Sequence, residues 1–243
     1  MATAFAGIVV SILLSGVAAV VVFQPFDVGI PSGEGAAIGR ALGQSNASVA
    51  IETRVPPLSL QGLLQIPLWI GLAGAPLFLA ATRGSSVITD TRAHFKASDI
   101  PLGLTIGLLS QVVLVPALYY PIFKIIGDQD VSEAARALTD RATSPLDVAV
   151  LAIMVVIGAP LVEELFFRGF LQNNLRRWIG FYPAWILASL VFALIHFQVL
   201  QFPALMMFGM VAGAVFHYFG RLGPAIFTHM GFNAVTVVAL LLL

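Results

Sequence analysis

Cysteine is absent from the 243 residues, which excludes disulfide bonds, thiolate nucleophiles and cysteine-ligated metal sites. Charge is scarce too. Twelve Lys and Arg balance twelve Asp and Glu, together 10% of the chain, where a soluble domain carries about a quarter. A net charge of zero leaves no basic surface for nucleic acid, so that class of partner is set aside. The apolar runs show none of the apolar–polar alternation of barrel strands. Hydrophobic residues are what abound: they make up 59% of the chain, and the mean hydropathy is +0.97. The composition is that of a multi-pass integral membrane protein, which in a bacterium would lie in the cytoplasmic membrane.

A transmembrane helix needs roughly 20 mainly apolar residues. On that measure the sequence predicts an all-α polytopic bundle of about seven spans, near Ala4–Phe23, Leu60–Ala81, Ile100–Phe123, Val148–Phe170, Phe181–Val199, Pro203–Phe219 and Gly223–Leu242. The first has no basic residues before it and is long for a signal peptide, so it reads as a membrane anchor. Gln24–Ser59 reads as a surface loop with a short helix near Ala36–Leu42, and Arg83–Asp99 as a charged loop. Asp99 is expected to cap the third span and Ser144-Pro145-Leu146-Asp147 to open the fourth. Val131–Leu138 has helical spacing, suited to a short helix at the membrane interface or to a solvated connector. The alternate connections hold six and five Lys or Arg, a slight excess that places the amino terminus inside.

Against this background a few polar residues stand out. An ionisable residue at the centre of a span costs about 2.5–3.5 kcal/mol on insertion scales. The fourth span nevertheless carries Glu163, Glu164 and Arg168, the fifth His196, the sixth His217, and the seventh His229 and Asn233. Hydrogen bonds that merely hold membrane helices together return about 0.6 kcal/mol each, too little to account for two glutamates. Glu164 and Arg168, four apart, share a helix face and can pair. Glu163 lies about 100° round the helix and is free to meet a cavity, as a general base would. His229 and Asn233 also share a face, and either can donate a hydrogen bond to an oxyanion. His196 can hold a water, shuttle a proton or bind a metal. His217 reads as a packing or interfacial group. The expected site is therefore a polar cavity among the fourth, fifth and seventh spans. One difficulty is depth, because His229 sits closer to its helix end than Glu163 and His196 do to theirs.

Three motifs stand in order on the fourth, fifth and seventh apolar stretches: Glu163-Glu164-Leu165-Phe166-Phe167-Arg168, Phe192-Ala193-Leu194-Ile195-His196 and His229-Met230-Gly231-Phe232-Asn233. Together they resemble EExxxR, FxxxH and HxxxN of the CPBP intramembrane proteases. That family comprises type II CAAX-processing enzymes and bacterial relatives linked to bacteriocin processing and self-immunity. The resemblance covers residues 147–243 as a catalytic helical core and leaves 1–146 as unassigned spans and loops. It implies an intramembrane endopeptidase acting on a membrane-anchored peptide or protein, prenylated in the CAAX-processing members. In that scheme Glu163 and His196 activate a water, His229 and Asn233 stabilise the oxyanion, and Arg168, with Glu164, supports the site. No cofactor is required, although zinc on Glu163, His196 and His229 is a chemically competent alternative. The HExxH, GxGD and GxSG motifs of other intramembrane proteases are absent. Outside the protease class, the same charges suit a non-catalytic scaffold or immunity protein, or an ion carrier. Oligomeric state is not encoded in any of these features.

Overall fold

The computed structural model describes residues 58–83 and 86–242, and among them every regular element is helical. The expected anchor at Ala4–Phe23 and the helix near Ala36–Leu42 lie outside the described residues. Eight elements follow in order: α1, Leu58–Arg83; α2, Val87–Thr91; α3, Asp99–Ile126; α4, Glu133–Thr139; α5, Pro145–Ile179; α6, Phe181–Leu194; α7, Phe202–Phe219; and α8, Leu222–Leu242. Five of them, α1, α3, α5, α7 and α8, are long and apolar enough to cross a membrane. The packing is that of an integral membrane protein. Leu104, Leu108, Leu109, Val112 and Val113 of α3 are exposed, while Glu164, Arg168, Gln172 and Asn173 of α5 are buried.

The structure corrects several boundaries. The fourth span runs from Pro145 to Ile179, well beyond the expected Val148–Phe170. A capping box starts it: Ser144 Oγ accepts the backbone N–H of Asp147, and the Asp147 carboxylate accepts that of Ser144. At about 1.5 Å per residue it is roughly 50 Å long, more than a bilayer core of about 30 Å. The fifth span is shorter than expected. Helix α6 stops at Leu194 instead of Val199, because Phe197 turns the chain with a positive φ of 53°. Its 14 residues reach only about 21 Å, and His196 lies in the turn that follows. Asp99 does not cap α3 but forms its first residue. Its carboxylate accepts the Lys96 backbone N–H and pairs with Arg221 at 3.1 Å. A short helix is present in the expected stretch as α4, and α2 interrupts the expected charged loop.

Hydrogen bonds define the two ends of the bundle. At one end Leu222 N–H donates to Arg92 O, Gly223 N–H to His94 O, and the Asn173 side chain to Asp90 O. At the other, Gln201 donates to Val131 O and the Tyr119 hydroxyl to Leu200 O. The connections 127–144 and 195–201 therefore share an end. Gly103 and Gly107 of α3, spaced as in GxxxG, meet α8. A Cβ on Gly231 of α8 would lie 2.7 Å from the Leu104 carbonyl oxygen, so only glycine permits this approach.

Proline shapes α5 as well as α3. A π-helical stretch, Ala152–Gly158, precedes Pro160, and another, Ser110–Leu114, precedes Pro116. A proline nitrogen cannot donate to the preceding turn, and its ring crowds the carbonyl four residues back. A wider turn relieves that crowding. A third π-helical stretch, Leu165–Gln172, follows the two glutamates directly.

Candidate active site

Between the π-helical stretches lies Ala159–Glu164, a short α-helical segment that ends on the two carboxylates. They face different surroundings. Glu164 is fully buried, and its Oε1 lies 3.0 Å from an Arg168 nitrogen and 2.9 Å from Nδ1 of His229. Arg168 also donates to the Gly209 carbonyl at 3.1 Å, and its guanidinium lies 4.6 Å from the centroid of the Phe192 ring. One turn on, the Gln172 amide donates to the Gly213 carbonyl. This two-rung ladder ties α5 to α7 at two glycines, where a Cβ would run into Ser189 of α6 at Gly209 and into Gln172 and Trp185 at Gly213. The expected Glu164–Arg168 pair is thus present.

Glu163 is half-buried, makes no hydrogen bond or ion pair with a described residue, and lines a cavity of about 320 Å³. His196, His229 and Asn233 line the same cavity. All four expected site residues are therefore brought to one space from α5, the turn after α6, and α8. That space could hold about ten waters at roughly 30 Å³ each. Its wall continues through Leu151, Val155, Phe192, Phe208 and Phe232, so a few polar groups are set in an apolar lining.

The hydrogen bonds fix how each ring can act. Nδ1 of His196 is 2.7 Å from the Phe192 carbonyl, which can only accept, so Nδ1 carries the proton and neutral His196 keeps Nε2 as an acceptor. Phe192 thus supplies both a backbone anchor for His196 and the ring beneath Arg168. Likewise, Nδ1 of His229 donates to the Glu164 carboxylate. Asn233 donates to the Val155 carbonyl at 2.8 Å, and the proline explains why. Ala159 N–H bonds Met154 O in the π-helical pattern, so Val155 O would take the N–H of residue 160, and Pro160 has none. Asn233 fills that vacancy and retains one amide hydrogen.

The apparent mismatch in depth disappears when both helices are measured from a common level. Asn173 and Leu222 each bond the connection that holds Asp90 and Arg92. Glu164 lies about 13 Å along α5 from Asn173, and His229 about 10 Å along α8 from Leu222. The tail of α5 beyond Asn173 extends further at that end, and its length made Glu163 look deep.

Spacing within single helices could not show three features of the site. The contact between His229 and Glu164 spans 65 residues. The polar wall also includes Gln65, Gln198, Gln201 and Thr236, which carry no motif. His217 lies outside the site, exposed and stacked on Phe181 with 3.6 Å between ring centroids. Among the described residues no three His, Asp or Glu side chains come together as a metal-binding group. Glu163, His196 and His229 share the cavity.

Fold and site together define an all-α integral membrane protein with a few polar groups gathered in one largely apolar cavity. Residues 145–235 match the family model described as "Rce1-like: Type II CAAX prenyl endopeptidase Rce1-like". That stretch contains all three motifs, so the resemblance read from them is shown there. The chain is also similar to the UPF0177 protein YbdI of Lactococcus lactis subsp. lactis, with 26% identity over 159 residues, covering 63% of this chain and 85% of that one. No solved structure matches.

Proposed function

We propose that the protein is an intramembrane endopeptidase that hydrolyses a peptide bond of a membrane-anchored peptide or protein with a water activated by Glu163. The observation that carries this reading is the unpartnered Glu163 carboxylate, which lines one cavity with His196, His229 and Asn233. Glu163 takes a proton from the water while Nε2 of His196 holds that water as an acceptor. The water oxygen bonds to the substrate carbonyl carbon, and the carbonyl oxygen becomes the oxyanion. Asn233 offers its remaining amide hydrogen to that oxygen. His229 donates to Glu164 through Nδ1, so it reaches the oxyanion as a donor only as imidazolium, through Nε2–H. Glu163 then passes its proton to the amide nitrogen as the carbon–nitrogen bond breaks, leaving a carboxylic acid and an amine. No step is routed through a metal.

Purified protein in proteoliposomes should cleave a membrane-anchored peptide, and Glu163→Gln should abolish cleavage without loss of folding. A Glu163→Gln protein that cleaves at the parent rate refutes the mechanism. Chelators should leave the rate unchanged; loss of activity that zinc restores would favour the metal alternative. Substrate trapping on the Glu163→Gln protein would identify the partner and show whether it is prenylated.

A further inference from the structure

The turn 195–201, between α6 and α7, carries more than His196. Phe197, at its positive φ, separates His196 from Gln198, and both residues line the cavity. The far side of the turn is fastened twice, by Gln201 to Val131 O and by Tyr119 to Leu200 O. Gln198 Oε1 is buried and has no hydrogen-bond partner. A buried acceptor left unpaired costs about 1–3 kcal/mol, and a fastened turn cannot readily carry it out to water. Gln198 and Gln201 also line a smaller hollow of about 210 Å³ beside Asp130 and Glu133. These two glutamines thus border both spaces, at the end of the bundle where the connections 127–144 and 195–201 lie.

A peptide stretched through a membrane-embedded site brings backbone N–H and carbonyl groups that must be satisfied there. The free Gln198 acceptor matches that need, and it lines the same cavity as Glu163 and His196. We propose that Gln198 is a substrate-binding residue whose side-chain carbonyl accepts a backbone N–H of an extended peptide close to the scissile bond. The ligand class rests on the peptidase reading. Recognition at this point is of backbone, so it tolerates varied side chains and demands a locally extended strand.

The test uses full-length Glu163→Gln protein in proteoliposomes, with binding of a fluorescent membrane-anchored peptide as the readout, so no turnover is needed. Adding Gln198→Met, which keeps the length and removes the acceptor, should weaken binding about two- to tenfold, the value of one hydrogen bond. Gln198→Glu keeps an acceptor and should hold near-parent affinity. A series of peptides, each with one backbone amide replaced by an ester, should contain one member whose binding Gln198→Met no longer weakens, because the N–H in question is already gone. Unchanged binding in Gln198→Met, or an equal loss for every ester peptide, overturns the proposal. If the peptide binds in the predicted pattern but the parent protein never cleaves it, the peptidase reading fails and the Gln198 assignment stands.

Discussion

Adjacent glutamates in α5 should respond in opposite ways to the same substitution. Glu164 is fully buried against Arg168 and His229, whereas Glu163 has no partner among the described residues. Glu164→Gln removes the carboxylate paired with Arg168, leaving the guanidinium with the Gly209 carbonyl and the Phe192 and Phe167 rings. Breaking a buried ion pair from one side costs about 3–5 kcal/mol. In a chain of this length each kcal/mol corresponds to about 2–4 °C, so the melting temperature should fall by about 6–20 °C. Glu163→Gln exchanges a half-buried, unpaired carboxylate for an amide of the same shape and should melt within about 2 °C of the parent, as substitutions away from such pairs do. Thermal unfolding in detergent, followed by intrinsic tryptophan fluorescence, measures both. The reasoning is refuted if Glu163→Gln melts far below the parent while Glu164→Gln does not.

Other parts of the bundle give separate tests. Gly231→Leu should force α8 away from Leu104 of α3, lowering both the melting temperature and cleavage by displacing His229 and Asn233; a fully active, stable variant would contradict the close approach. Asn233→Ala unpairs the Val155 carbonyl and should cost about 1–3 kcal/mol, but the double variant with Pro160→Ala should regain part of that loss, because an alanine N–H can supply the missing donor. Non-additive unfolding energies in the double-mutant cycle would check this. The slight Lys and Arg excess predicts that the end holding Arg92, Lys96, Arg176, Arg177 and Arg221 faces the inside. The cysteine-free chain suits a direct test: an impermeant maleimide should label Gln129→Cys in intact cells and Ala97→Cys only after permeabilisation, and the reverse pattern would invert the orientation.

What the sequence made legible was set by local physics. Apolar runs mark most spans within a few residues, because hydrophobic length is a property of each segment alone. The Glu164–Arg168 pair was legible for the same reason, since four residues bring two side chains onto one helix face. The end of α6 was not, because apolar residues continue past Leu194 and the break rests on a left-handed Phe197, a residue type that seldom adopts that conformation. The partner of His229 was also hidden. A histidine on α8 can meet either glutamate of α5, and the choice depends on how the two helices are rotated about their axes.

That rotation is controlled by the π-helical turns. Each π turn takes up about one residue more than an α-helical turn, so the helix beyond it is rotated by roughly 100° relative to a continuous α-helix. Ala159–Glu164 has such a stretch on both sides, which uncouples the direction of the glutamates from the ends of α5. The stretch before it is paired with Pro160, and the carbonyl left open at Val155 is closed by Asn233, itself a residue of the candidate site. The stretch after it carries Arg168 and Gln172, which hold α7 at Gly209 and Gly213. One side of the glutamate pair is thus fixed to α8 and the other to α7. Asn233, which closes the carbonyl that Pro160 leaves open, also lines the cavity that Glu163 faces, so a change at Pro160 should alter the chemistry of the site before it alters the fold.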